Sequence, residues 1–284
     1  MELSVEIREH NGNINLKQFD INILTLIKHI GLVGNKNAEH LLINFKAIGF
    51  FQYFYRYLNS IFPIYHLHRP NDFFHDPTEM AQFSNIIGKG IADFLARRIS
   101  GAKYTHTYEA VLTLKRIIYS GERPDLYCDT GKEQFSLEAK GFSVRSVSLN
   151  KMSKIKKQAN SGPVPINFSI ASVTYNIFDY PLKCKYYDPD NDYKEYDKEN
   201  NIILSKLYYA NIINLFNDLS HSKEISILDH KYLSFKFSIN GLTPINFLLN
   251  QKILTFLEKE TERPNFESFE LAVILGFNSL HLPW

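Results

Sequence analysis

Asp125, Glu138 and Lys140 are the side chains whose types and spacing could do chemistry. They lie in two short segments, Arg123-Pro124-Asp125-Leu126 and Ser136-Leu137-Glu138-Ala139-Lys140, on either side of Gly131-Lys132. Arg123 to Thr130 and Glu133 to Gly141 read as the two strands of a hairpin. A two-residue type II′ turn wants glycine at its first central position. Such a turn sets Thr130 against Glu133, Cys128 against Phe135, Leu126 against Leu137 and Asp125 against Glu138. Side chains alternate along a strand, so one face carries Leu126, Cys128, Phe135, Leu137 and Ala139. The other carries Asp125, Tyr127, Ser136, Glu138 and Lys140. A four-residue loop keeps this partition, whereas an odd-length loop breaks it.

Like charges side by side on a sheet repel, so the two carboxylates need a neutralising partner. A divalent cation is a natural one. Mg²⁺ takes few carboxylates, keeps several waters and accepts a phosphate oxygen in its remaining positions. A cation held there acidifies a coordinated water and stabilises charge developing on a phosphorus centre. Lys140 points to the same side and could orient or help deprotonate the attacking water. The bland alternative is a solvated strand face with a weak surface ion pair. An ExK triplet alone does not exclude it; Pro124-Asp125 upstream shifts the balance.

With Pro124-Asp125 and Glu138-Ala139-Lys140 in that order, the chain resembles the PD-(D/E)XK nuclease superfamily. The resemblance covers about Thr78 to Phe178, where helix, hairpin, basic helix and strand follow one another as in that family's restriction-endonuclease-like core. It implies an α/β fold with a mixed central β-sheet flanked by helices. It also implies that Asp125 and Glu138 bind the metal with the Ala139 backbone carbonyl as a further ligand, and that Lys140 assists the attacking water. Mg²⁺ is the expected cofactor, with Mn²⁺ as a substitute. The family often adds an acid from the preceding helix, for which Glu79 and Glu109 are both candidates. The implied activity is metal-dependent phosphodiester hydrolysis on nucleic acid, with DNA the expected substrate and restriction or defence against foreign DNA a reasonable setting. The rivals are a silent nuclease-fold protein that binds nucleic acid or protein, and an RNA-directed nuclease.

The elements that must position these groups are read from periodicity and punctuation. Thr78 caps a helix expected to run to about Ile99, and Tyr104 to Ile118 is ambiguous between strand and helix. A basic helix from about Asn150 to Ala159 carries Lys151, Lys154, Lys156 and Lys157, with Met152, Ile155 and Ala159 as its inward stripe. Lys151, Lys154, Lys157 and Gln158 are the candidate nucleic-acid contacts, against the alternative of a solvated helix surface. A mostly apolar strand runs from Ile166 to Tyr175.

The flanks read as extensions. Residues 1–77 are expected to be mainly helical, with a possible strand at Leu3 to Arg8, an apolar segment at Ile21 to Ile30 and helical periodicity from Ala38 to Leu58. Residues 78–178 form the nuclease-like core and 179–284 a C-terminal α/β extension. In that last part a polar stretch from Tyr186 to Asn201 reads as loop or boundary. It is followed by a helix from Ile202 to Leu219, a hairpin from Ile225 to Ile239 and a helix from Thr243 to about Glu260.

Other motifs carry less. His66 and His68 form an HxH pair without an evident third ligand, so a packed or surface pair is favoured over zinc. Asp188 to Glu199 superficially follows EF-hand positions, but Tyr193 stands where glycine is required. Gly31 to Asn37 and Gly88-Lys89-Gly90 do not fit a P-loop.

Composition sets outer bounds. With 32 Lys and Arg against 30 Asp and Glu, the net charge of +2 does not advertise a nucleic-acid partner, so any such signal must be local. The 44% hydrophobic and 22% charged fractions are those of a soluble globular chain. Two cysteines without metal spacing and no leader pattern favour the cytoplasm. The most apolar stretch, Ile43 to Tyr65, is interrupted by Lys46, Gln52, Arg56 and Asn59, which argues against a membrane span. A homodimer or a protein partner stays open.

Overall fold

Leu3, Val5 and Ile7 are buried while their neighbours are half-exposed, the period-two pattern of a strand with one covered face. They belong to β1 (Glu2–Arg8), which pairs antiparallel with β2 (Ile14–Asp20). The computed structural model describes residues 1–9, 11–33, 57–59, 66–69, 77–187, 202–209, 223–227, 230–237, 245–253 and 271–275. Helix α1 (Ile23–Leu32) starts at Asn22, whose side chain accepts the Thr25 N–H at 2.7 Å. The expected helical run from Ala38 to Leu58 falls almost wholly outside the described residues. What is described of residues 1–77 is a β-hairpin, α1 and a short ladder of β3 (Leu58–Asn59) with β4 (His66–Leu67).

Helix α2 (Pro77–Ile99) follows, and then the ambiguous segment resolves as both alternatives in turn: β5 (Tyr104–Thr107) runs directly into α3 (Tyr108–Leu114). Thr107 makes the switch, since its hydroxyl accepts the Ala110 N–H at 3.1 Å and caps the helix. The hairpin is β6 (Leu126–Asp129) and β7 (Gln134–Gly141), followed by α4 (Leu149–Ala159), β8 (Phe168–Tyr175) and β9 (Leu182–Tyr187).

These strands form one seven-stranded mixed sheet in the order β2-β1-β9-β8-β7-β6-β5. The pairs β7/β8 and β1/β9 are parallel and the others antiparallel. Parallel β7 and β8 need a crossover, which α4 supplies. Helices cover both faces. Helices α1 and α2 pack with Leu126, Cys128, Phe135, Leu137 and Ala139 in the main core. On the opposite face α4 packs Met152 and Ile155 against Ala171 and Val173, while α3 packs Val111 and Leu112 near Tyr127. The fold is thus α/β with a mixed sheet flanked by helices.

The sheet crosses both expected domain boundaries, because β1 and β2 come from before residue 78 and β9 from after residue 178. Contacts group Met1–Ser205 into one unit and Lys206–Trp284 into another. Strand β9 is legible in hindsight, since buried Leu182, Cys184 and Tyr186 alternate with less buried Lys183 and Lys185. In the second unit β10 (Lys223–Ile227), β11 (His230–Phe237), β12 (Ile245–Asn250) and β13 (Leu271–Leu275) form an antiparallel sheet in sequence order. The helix expected from Thr243 is therefore a strand over Ile245–Asn250. A short apolar run fits a strand paired on both edges as well as a helix face, and pairing with β11 and β13 decides it. Among the described residues no helix is long and apolar enough to cross a membrane.

A buried polar knot fixes α2. Asp93 is fully buried, with His29 Nδ1 2.5 Å from Oδ2, Arg97 Nε 3.4 Å from the same oxygen, and the Thr105 hydroxyl donating to Oδ1. Burial alone would raise the Asp93 pKa, but Arg97, His29 and Thr105 outweigh it and hold the carboxyl well below the usual range. Burial pushes His29 down to about 4 despite Asp93, so the imidazole is neutral at pH 7. The knot ties α1, α2 and β5 together.

Five residues upstream α2 lies directly on the end of β7. A Cβ on Gly141 would sit 1.6 Å from the Ser84 carbonyl oxygen, and one on Gly88 would sit 2.6 Å from the Gly141 nitrogen. Both obstacles are backbone and cannot rotate away. Gly141→Ala is accordingly expected to cost more than about 3 kcal/mol or prevent folding, since overpacking here displaces a helix. Denaturant unfolding with Gly101→Ala alongside checks this: Gly101 has open space around it but a φ of +67°, so its loss reports backbone strain alone. Equal losses for the two variants would contradict the packing argument.

Candidate active site

The site begins with the turn. Gly131 has φ +88°, the Thr130 N–H donates to the Glu133 carbonyl at 2.9 Å, and the Thr130 hydroxyl accepts the Lys132 and Glu133 N–H groups. The resulting register sets Leu126 against Leu137, Cys128 against Phe135 and Asp129 against Gln134. Mutually hydrogen-bonded pairs recur at every second residue of an antiparallel ladder. Counting from Thr130 and Glu133, Pro124 and Ala139 would be such a pair. Proline has no N–H to give to the Ala139 carbonyl, and β6 begins only at Leu126.

Asp125 occupies the gap. Its Oδ2 accepts the Ala139 N–H at 3.2 Å in place of a ladder bond, and its own N–H donates to Glu138 Oε2 at 3.0 Å. The N–H and C=O of one strand residue leave the same edge, so the Ala139 carbonyl faces the side on which Asp125 stands. Lys140 Nζ lies 2.5 Å from Glu138 Oε1 and 3.8 Å from Asp125 Oδ2. The three expected side chains converge on one face at the end of the hairpin.

A fourth charged group joins them. Lys89 Nζ lies 3.0 Å from Asp125 Oδ1, reaching across from α2. The sequence displayed it only as part of Gly88-Lys89-Gly90, a run that fits no phosphate loop. Its relevance depends on where α2 crosses β7, which helical periodicity does not specify.

Burial separates this face from a solvated strand surface. Glu138 is wholly buried, as are Tyr127 and Ser136 beside it, and the Ser136 hydroxyl donates to the Ala159 carbonyl at 2.5 Å. Burial and the neighbouring Asp125 charge push Glu138 up to about 7, against the lowering effects of Lys140 and the Asp125 N–H. Burial lowers the Lys140 pKa, but Glu138 and Asp125 outweigh it and leave the ammonium more firmly protonated than usual.

The remaining expected residues divide. Glu109 pairs with the Arg123 guanidinium, and Glu79 sits in the first turn of α2. Among the described residues no three acidic, histidine or cysteine side chains gather as a metal-binding group, so neither acid joins Asp125 and Glu138. His66 and His68 form no such group either; His68 Nδ1 lies 3.1 Å from the Tyr57 carbonyl. The Asp188 to Glu199 segment lies outside the described residues.

On α4, Lys154 and Lys157 are exposed, and Lys151 Nζ sits 3.4 Å from the centroid of the Phe142 ring. Gln158 turns toward the site and donates to the Arg123 carbonyl at 3.4 Å, two residues before Asp125. Lys156 departs from the expected basic surface: it is buried and donates to the Ser169 carbonyl. Its position on the same stripe as Met152, Ile155 and Ala159 explains why.

Two carboxylates and a strand carbonyl relieved of its ladder donor are hard oxygen donors of the kind Mg²⁺ and Mn²⁺ take. The two ammonium groups already beside them show that the pocket needs positive charge. Comparisons with protein-family models, curated proteins and solved structures found no match to this chain.

The raised Glu138 pKa predicts a pH effect of definite sign. In the unfolded chain the group titrates near 4.5, in the folded protein near 7, so between these values the folded state binds the extra proton. Metal-free protein therefore loses stability from this group as pH rises from 4.5 to 7, by up to about 3 kcal/mol. Urea unfolding in chelator at pH 5, 6 and 8 measures it. Glu138→Gln should flatten that slope, and an unchanged slope in the variant would contradict the assignment.

Proposed function

We propose that this protein is a divalent-cation-dependent nuclease that hydrolyses phosphodiester bonds in nucleic acid, most naturally DNA. The observation that carries this reading is the gap left by Pro124 at the end of β6. There, hydrogen bonds tie Asp125 to the Glu138 carboxylate and to the Ala139 N–H beside Lys140, on the edge of β7 toward which strand geometry directs the Ala139 carbonyl. The path of the chain supports a restriction-endonuclease-like core: α2, β5, the short α3, the β6-β7 hairpin with β6 antiparallel to β5, α4, and β8 parallel to β7.

Asp125 and Glu138 would hold Mg²⁺, or Mn²⁺ in its place, with the Ala139 carbonyl as the third protein donor. The bound ion supplies Lewis-acid polarisation of the phosphate and acidification of water. Glu138 must be ionised to serve as a ligand, which its buried position opposes until positive charge arrives. Lys140, held by both carboxylates, is placed to orient the water that attacks phosphorus. As the new P–O bond forms, the ester P–O bond breaks and the departing oxygen takes a proton, leaving one phosphomonoester and one hydroxyl. Lys151, Lys154 and Lys157 lie on the helix that follows β7 and would hold flanking backbone phosphates. Gln158 steadies the segment leading into Asp125. Restriction or defence against foreign DNA fits such an activity.

Purified protein is expected to cut DNA with Mg²⁺ or Mn²⁺ and to stop when the ion is chelated. Parallel digestion of single- and double-stranded DNA and RNA identifies the polymer. Glu138→Gln should lose about 10²-fold or more in rate while the chain stays folded. Equal activity in the variant would reject the site, and binding without cutting in both proteins would indicate a nucleic-acid-binding module instead. Replacing Lys154 and Lys157 together by Glu should weaken binding across sequences. The salt dependence of affinity should become shallower by roughly one log unit per log unit of salt for each phosphate left without its lysine.

A further inference from the structure

Two ammonium groups stand against the two carboxylates of the site. Lys140 approaches Glu138 Oε1 and Asp125 Oδ2, whereas Lys89 approaches Asp125 Oδ1. With both carboxylates ionised, as cation binding requires, the four charges sum to zero. Seating a dication among them leaves an excess of +2, so an ammonium must withdraw, an anion must arrive, or both.

Geometry distinguishes the two lysines. The Lys140 side chain is 31% exposed and is held by both carboxylates, while that of Lys89 is 44% exposed and meets the carboxylates through one oxygen. Lys89 thus gives up fewer carboxylate contacts on leaving and already stands nearer the water it would move into. Its backbone does not leave with it. Gly88 is seated on the Lys140 and Gly141 backbone, and a Cβ on Gly90 would lie 2.5 Å from Ile30, so the helix is packed closely on both sides of Lys89. Only the side chain can move, and it stays tethered within reach of the site.

We propose that Lys89 is the resident counter-ion of Asp125. It yields Oδ1 to an incoming divalent ion and then contacts a non-bridging oxygen of the substrate phosphate. The inference rests on the reading of Asp125 and Glu138 as cation ligands and assigns Lys89 two successive anionic partners. In the second role it is a substrate-contacting residue that offsets charge on the phosphate, while Lys140 remains at the carboxylates.

Calorimetric titration of Mn²⁺ into the full chain without nucleic acid tests the first role, using wild type, Lys89→Met and Lys89→Arg. Lys89→Met keeps the stem, loses the charge, and should bind Mn²⁺ about three- to tenfold more tightly. Lys89→Arg should stay close to wild type. Wild-type or weaker affinity in a folded Lys89→Met protein overturns the proposal; Lys89→Gln, read the same way, replaces it should that variant unfold. Single-turnover cutting at saturating Mn²⁺ tests the second role, with Lys89→Met expected to be slower by at least about tenfold. Tighter Mn²⁺ binding with undiminished cutting overturns the phosphate contact. Absence of Mn²⁺ binding to wild type and Lys89→Met alike shows that Asp125 and Glu138 hold no cation, which removes the nuclease reading itself and this inference with it.

Discussion

Glu138 is a carboxylate with no exposure to water, and a buried charge of that kind persists only if the groups around it are arranged for it. The Asp125 N–H, the Lys140 ammonium and a pKa moved toward neutrality are three answers to one requirement. Asp125 makes the requirement harder to meet by bringing a second negative charge, which in turn draws in Lys89. The charge constellation follows from placing one acid in the middle of a covered strand. The hairpin, the covering helices and the end of β6 are what place it there.

Much of this was legible in the sequence because the hairpin obeys local rules. Glycine at the turn fixes the register, and alternation then fixes which side chains share a face. Those rules bring Glu138 and Lys140 to one face, and Pro124, by ending the ladder, leaves Asp125 beside them. The sheet-level facts were not legible. Nothing local announces that β1 joins β9 or that both faces of the hairpin are covered, since these depend on partners distant in sequence. A solvated face and a helix-covered face carry the same alternation, and only the packing of α3 and α4 tells them apart.

Particular residues show where local reasoning fails. Lys156 reads as surface by type and as interior by position, and position prevails because its long stem lies along the buried stripe while its ammonium finds the Ser169 carbonyl. Residues 245–250 read as the start of a helix because Thr243 and Pro244 suit a first turn, yet strands on both edges claim the segment. Lys89 reads as nothing in particular until the helix that bears it is laid across the hairpin. In each case tertiary contact, which a window of neighbours does not contain, reassigns a residue whose local preferences were ambiguous.

Helix α2 is gripped at two places about one and a half turns apart, by the glycine seat at Gly88 and by the polar knot at Asp93. A rod clamped twice over so short a span cannot slide or roll without breaking one of the grips. Accommodation of anything that docks beside it must therefore come from elsewhere: from the docking molecule itself, or from the long aliphatic arms that carry the positive charges. The scaffold behaves as a fixed jaw, and compliance resides in its lysines.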